Sequence, residues 1–200
     1  MKVTKLSVQV KNPERVNVFL DGTYSFSLTI DQVLEHKVKK DLELDEQEVK
    51  KFEKLSLDGK LRQRALEWLL IRPHSEKEVM DYFKRKNVDV EQARGWLDEF
   101  IARGFQSNLS FAKWWIDQRR SKQKSQQFIR QELRQKGIDS AIIQSLLSEE
   151  PEGDKTALTT LIEKKQKQIK YQDNQKLTAY LLRQGYRYSD VVEALAHKFA

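Results

Sequence analysis

The sequence predicts a mainly α-helical fold, an elongated solenoid of three tandem three-helix repeats with a small N-terminal β-hairpin or meander. The first observation behind this prediction is a change of period. Residues 3–28 alternate apolar and polar side chains as strands do, whereas apolar residues after Thr29 recur at helical spacing. The second is a helical hairpin that occurs three times, over residues 79–97, 128–147 and 177–195.

The three hairpins share apolar residues at equal distances from a turn. Four residues before the turn stand Phe83, Leu133 and Leu181, and six residues after it stand Ala93, Ile143 and Val191. Glycine and asparagine tolerate the left-handed backbone that often ends a helix. We therefore predict structural turns at Asn87, Gly137 and Gly185, repeats over 60-104, 109-150 and 155-200, and a β-hairpin and helical extension over 1-59.

Composition and charge exclude several classes of protein. The chain has no cysteine, which excludes disulfides and thiolate metal sites, and no apolar run reaches about 18 residues. We therefore expect a soluble, cytoplasmic protein without membrane contact. Net charge is +7: residues 1–60 carry 11 basic and 11 acidic groups, 109–150 carry 8 and 5, and 151–200 carry 9 and 6. This basic excess favours an anionic partner, most often nucleic acid.

The turn at Asp21-Gly22 leaves two registers open for the N-terminal strands. A strict two-residue loop sets Phe19 opposite Tyr24. A three-residue loop instead places six apolar side chains on one face, and we predict it because it buries more surface. These side chains are Val16, Val18, Leu20, Tyr24, Phe26 and Leu28.

Helix boundaries are marked by capping residues and by one glycine. Asp45 with Glu48, and Ser75 with Glu78, have the spacing of a capping box. We predict that Asp58-Gly59 interrupts the helix that starts after Asp45. The tryptophan pair Trp114 and Trp115 is interpreted as core.

Eight basic residues are candidate partner-binding positions. Like charges one turn apart destabilise an isolated helix slightly, which favours an external anion, although a solvated face is the alternative. Lys113, Arg120 and Lys124 share a face if their helix runs that far, and Arg130 and Arg134 are one turn apart. The remaining three, Lys164, Lys167 and Lys170, follow at three-residue steps.

Signals of catalysis are weak. His36, His74 and His197 are isolated, and the seven glycines stand singly. Glu149-Glu150 and Asp98-Glu99 are interpreted as helix surface and ends. We expect no enzymatic activity, no cofactor and no metal.

Three motifs follow one another along the helical part of the chain: Arg72-x-x-Ser75-x-x-Glu78, Gly104 followed by Phe111-Ala112-x-x-Trp115, and Glu132-Leu133-x-x-Lys136-Gly137-Ile138. Together, in this order and spacing, they resemble the RecX family of recombinase regulators. Four positions depart from the family pattern: His74, Ser107, Asn108 and Ser125.

The resemblance implies a non-enzymatic regulator that binds the RecA recombinase filament in its groove and bridges neighbouring protomers. Such proteins restrain filament growth, strand exchange, ATP hydrolysis and repressor cleavage, in DNA repair and the SOS response. The resemblance also implies direct DNA binding, with lesser weight, and the charge distribution permits it. We expect a monomer. The alternative is a helical nucleic-acid-binding module without a recombinase partner, which would bind duplex DNA alone with a steep salt dependence.

Overall fold

A computed structural model describes residues 1–148 and 153–196 of the chain. It contains two compact units, Met1–Trp68 and Leu69–Ala200. The surface pair predicted at Glu149-Glu150 and the isolated His197 lie outside the described residues. No helix in the described part is both long and apolar enough to cross a membrane.

The first unit is a three-stranded antiparallel sheet covered on one face. Its strands are β1 Val3–Val8, β2 Arg15–Leu20 and β3 Thr23–Thr29, in the order β1-β2-β3. The helices are α1 Ile30–Glu35, capped by Thr29, and α2 Glu46–Ile71. Alternation along the strands sends one set of side chains into a core that includes Val18, Phe26, Leu28 and, from α2, Phe52.

The turn between β2 and β3 differs from the predicted three-residue loop. The loop is Asp21-Gly22, with φ values of 47° and 86°, so Phe19 lies opposite Tyr24. Two consecutive positive φ values make the tight turn that suits a twisted hairpin. A register shift between Val18 and Phe19 then pairs Val18 with Phe26 and restores the apolar face. Tyr24 is the exception to that face, because its side chain is 47% exposed.

Helix α2 is continuous, so the predicted interruption at Asp58-Gly59 is wrong. It begins with the predicted capping box, in which Asp45 N donates to Glu48 Oε2 (2.9 Å) and Glu48 N donates to Asp45 Oδ1 (2.8 Å). A Cβ at Gly59 would lie 2.7 Å from Nη1 of the buried Arg15. The glycine therefore makes room for a guanidinium and does not end the helix.

The second unit contains the three helical hairpins. Each turn residue is left-handed, with φ of 56° at Asn87, 76° at Gly137 and 92° at Gly185. The next amide donates to a carbonyl five residues back, as at Ile138 to Leu133 (3.0 Å), which satisfies a free end of the helix. The helices are α3 Glu76–Arg85, α4 Val90–Ala102, α5 Asn108–Arg120, α6 Gln126–Gln135, α7 Ser140–Ser148, α8 Gly153–Gln166, α9 Asn174–Arg183 and α10 Tyr188–Ala196, with a 3₁₀ turn at Ile169–Tyr171.

The aligned apolar residues of the hairpins are all buried. One core cluster joins α5, α6 and α7, and another joins α8, α9 and α10. The buried set includes Phe83, Leu133, Leu181, Ala93, Ile143 and Val191. The repeat boundaries at 60-104, 109-150 and 155-200 remain a prediction.

Candidate interaction surface

The first group of predicted basic residues does not lie on one helical face. Lys113 is exposed on α5, but α5 ends at Arg120, so Lys124 lies in the following loop. The Lys124 ammonium is 4.1 Å from the ring centroid of Phe128, and burial lowers the pKa of this lysine. Arg120 and Lys124 line a cavity of about 450 Å³ beside α8.

Arg130 and Arg134 lie one turn apart on α6, as the spacing predicts. Arg134 is exposed and Arg130 is half-buried, while the intervening Ile129 and Leu133 are fully buried. Arg134 is therefore presented to solvent, whereas Arg130 lies at the edge of the packed side of the helix.

The predicted lysine row after Lys164 is also broken by a helix end. Lys164 is in the last turn of α8, which ends at Gln166, whereas Lys167 follows the helix and Lys170 lies in the 3₁₀ turn. All three lysines are exposed. They are presented by three different local structures, so no single helix carries them as a stripe.

A half-buried carboxylate, Glu78, is held by two cations. Arg72 Nη1 lies 3.0 Å from Glu78 Oε2, and Lys136 Nζ lies 2.7 Å from Glu78 Oε1. The Glu78 side chain is 14% exposed. Its burial alone would raise the pKa, but the hydrogen bonds from Lys136 and Arg72 outweigh burial and hold the pKa of Glu78 below its ordinary value.

The capping box predicted at Ser75 and Glu78 forms only in part. Ser75 Oγ accepts from Glu78 N (3.2 Å), as predicted, but the Glu78 carboxylate is engaged by the two cations. Lys136 precedes the turn of the second hairpin, so Glu78 joins the first hairpin to the second. Lys77 Nζ adds a parallel link by donating to the carbonyl of Gln135 (2.8 Å).

The tryptophan pair is half-buried and surrounded by cations. Trp115 Nε1 donates to Glu132 Oε2 (2.9 Å), which also accepts from Arg119 Nε. The Arg119 guanidinium carbon lies 4.1 Å from the Trp115 ring centroid, and Lys136 Nζ lies 5.0 Å from it. The Arg72 guanidinium carbon lies 5.0 Å from the ring centroid of the neighbouring Trp114. Both rings pack against the core formed by α5, α6 and α7, and cationic side chains lie over them. We therefore interpret the two tryptophans as packing residues between helices.

Among the four departures from the family pattern, Ser107, Asn108 and Ser125 make hydrogen bonds and His74 is buried. Asn108 Oδ1 accepts from Glu76 N and its Nδ2 donates to Glu76 Oε1, both at 2.9 Å. His74 is 2% exposed; burial is the largest cause that lowers its pKa, followed by the charge of Arg72. Ser107 caps α5 by accepting from Ser110 N (3.2 Å).

Ser125 caps α6 and binds the third hairpin. Its Oγ accepts from Phe128 N (3.1 Å) and donates to the carbonyl of Gly185 (2.7 Å). A Cβ at Gly185 would lie 2.6 Å from Ser125 Oγ and from Phe128 Cβ. The turn of the third hairpin therefore packs directly on the first turn of α6.

The network around Glu78 was missed by sequence reasoning, although its members belong to the three motifs. Each motif was interpreted as helix punctuation or core. The signal that could have revealed the network is the pairing of Glu78 with Arg72 and Lys136, whose charges are complementary but lie in different motifs. In the described residues, no group of three histidine, aspartate or glutamate side chains could hold a metal ion.

Comparison with known proteins agrees with the motifs. The regulatory protein RecX N-terminal domain matches residues 1–45, and the second three-helix domain of RecX matches residues 108–147. Regulatory protein RecX of Clostridium botulinum (strain Alaska E43 / Type E3) is 31% identical over 209 aligned residues, covering 99% of this chain and 98% of that protein. The chain belongs to the RecX family of regulatory proteins.

A second relative and a solved structure are consistent with this membership. Regulatory protein RecX of Bacillus pumilus (strain SAFR-032) is 29% identical over 205 residues, covering 98% of this chain and 77% of that protein. A crystal structure of regulatory protein RecX has a TM-score of 0.68 at 24% identity, covering 94% of this chain and 96% of that one. The similarity to the crystal structure concerns the fold.

Proposed function

We propose that this protein binds the RecA recombinase filament and inhibits its recombinase, ATPase and co-protease activities, without enzymatic activity of its own. Membership in a family of regulatory proteins carries this proposal. The RecA partner follows from the resemblance of the three motifs. The protein acts in the cytoplasm as a monomer.

Rigid hairpins suit a protein that has to lie along a filament. Glu78 joins the first two hairpins through Lys136, and Ser125 joins the second and third through Gly185. The Ser125 contact holds the second and third repeats, which carry the proposed basic side chains, in one arrangement before binding. A surface ordered in advance loses less conformational entropy when the partner binds.

The proposed contacts are Lys113, Arg120, Lys124, Arg130, Arg134, Lys164, Lys167 and Lys170. Exposed cations at the rim of an interface act mainly on the association rate, and salt weakens their effect. Arg130 and Arg134 give the sharpest test among these residues. They lie one turn apart on α6, and changing them leaves the buried residues of that helix in place.

The experiment measures how strongly wild type and the double variant Arg130→Glu with Arg134→Glu inhibit the DNA-dependent ATPase of RecA. We expect the variant to fold normally and to inhibit more weakly than wild type, and wild-type inhibition to fade as salt rises. The matched control is Lys84→Glu with Arg85→Glu on α3, which makes the same change of net charge outside the proposed contacts. Inhibition by the α6 variant equal to wild type at low and high salt alike would reject Arg130 and Arg134 as contacts.

A further inference from the structure

The outer face of the N-terminal sheet carries a row of side chains that crosses all three strands. Lys5 of β1 lies opposite Phe19 of β2, which lies opposite Tyr24 of β3. Residues directly opposite each other project from the same face, and this face is the one opposite the buried Val18. Lys60 of α2 extends the row, since its Nζ lies 3.3 Å from the Tyr24 hydroxyl oxygen. Two aromatic rings are thus flanked by a lysine at each end.

The two rings are held in place but remain accessible. They meet edge to face, with centroids 6.0 Å apart and an interplanar angle of 80°. Lys5 Nζ lies 5.5 Å from the Phe19 centroid and Lys60 Nζ lies 5.9 Å from the Tyr24 centroid. These distances are near the outer limit of about 6 Å for a cation–π contact, so both contacts are weak and each lysine can turn toward an anion.

The electrostatics of this face favour an anion. The three strands contain Lys5 and Arg15 but no aspartate or glutamate. The Arg15 guanidinium is buried, and its described hydrogen bonds go to neutral groups, including the carbonyl of Ser27 at 2.7 Å. Its Nε has no hydrogen-bond partner among the described residues. The strands therefore contribute positive charge that no acidic residue of the sheet offsets.

We propose that the row of Lys5, Phe19, Tyr24 and Lys60 is a binding site for single-stranded nucleic acid. The rings offer stacking surfaces for bases, and the lysines at the two ends contact the neighbouring phosphates. Every base has a flat face, so the site has no strong sequence preference, and its phosphate contacts make binding sensitive to salt. Duplex DNA keeps its base faces stacked and cannot use the rings. This site lies in the first unit and does not depend on the RecA contacts proposed above.

The test measures fluorescence anisotropy of a labelled single-stranded oligothymidylate with the full chain and without RecA. Replacing both rings, by Phe19→Leu with Tyr24→Leu, keeps charge and apolar character but removes the stacking surfaces. We expect affinity to fall about fivefold or more, as for loss of base–aromatic stacking. Tyr24→Phe retains the ring and should bind as wild type. Circular dichroism checks that each variant folds. If the double variant is unstable, the single variant Tyr24→Leu replaces it in the test, because Tyr24 is exposed.

A charge comparison separates the site from general attraction to a basic protein. Lys5→Gln with Lys60→Gln should weaken binding and reduce its salt dependence. Lys51→Gln with Lys54→Gln removes the same charge from exposed positions on α2 and should leave binding unchanged. Leucine variants that bind as tightly as wild type would overturn the proposal. The proposal would also be overturned if duplex DNA of the same length bound as tightly as the single strand and lost as much affinity in Phe19→Leu with Tyr24→Leu.

Discussion

Replacing Gly185 by alanine should destabilise the second unit far more than the same replacement at Gly104. Both glycines are left-handed, with φ of 92° and 75°, so each alanine incurs a similar backbone penalty of about 1–2 kcal/mol. A Cβ at Gly104 would meet no atom of the described part of the chain within 4 Å. A Cβ at Gly185 lies 2.6 Å from Phe128 Cβ and 3.3 Å from the Phe128 backbone nitrogen, which adds about 1–3 kcal/mol of overpacking.

Urea unfolding followed by circular dichroism measures both variants against wild type. We expect losses in the free energy of unfolding of about 1–2 kcal/mol for Gly104→Ala and about 2–5 kcal/mol for Gly185→Ala. Gly137 is the intermediate case, because a Cβ there would lie 3.2 Å from Lys77 Cβ. At Gly137, asparagine should cost less than valine, which tolerates positive φ poorly. Equal losses at Gly104 and Gly185 would refute the close packing between the second and third hairpins.

Two further changes test contacts that the sequence alone did not reveal. Glu78→Gln removes the charge held by two cations and should cost about 1–3 kcal/mol at neutral pH. Folding lowers the pKa of Glu78, so the stability that its charge contributes is present above the unfolded pKa of about 4.3 and is lost as pH falls through the lower folded value. The difference in the free energy of unfolding between wild type and Glu78→Gln, measured with urea, should therefore disappear in acid. A difference that stays constant with pH would contradict this. Gly95→Ala meets no described atom within 4 Å inside α4 and should stabilise by about 0.5–1 kcal/mol, because alanine favours a helix interior. Gly59→Ala gains the same helix preference, but its Cβ would meet Arg15 Nη1 and add about 1–3 kcal/mol of overpacking, so its net effect should be a loss of up to about 2.5 kcal/mol. Thermal unfolding compares the two alanine variants, and stabilisation by both would show that Arg15 does not occupy the space beside Gly59.

The helical hairpins were predictable because their signals are local. Apolar residues such as Leu133 lie one turn from the next buried position, and Gly137 supplies the left-handed turn that the following helix requires. The apolar face of the sheet was predictable for the same reason. Its turn was not, because the register shift after Val18 compensates for the two-residue loop, and only the paired strands show that compensation.

The errors have a common physical origin in contacts between distant residues and in helix ends. Gly59 resembles a helix break locally, but its small size serves Arg15, which lies far away in the sequence. Glu78 fits a capping box locally, but Lys136 supplies a stronger partner. The basic rows were extrapolated past the end of α5 at Arg120 and past the end of α8, where no local sequence rule fixed the last turn.

The proposed partner is tested most directly by co-sedimentation of the full chain with RecA filaments preformed on single-stranded DNA. We predict that the protein pellets with the filaments at low salt, that less protein pellets as salt rises, and that Arg130→Glu with Arg134→Glu pellets less than the control Lys84→Glu with Arg85→Glu. Protein that stays in the supernatant at low salt, while the filaments pellet, would contradict the proposal that it binds the RecA filament.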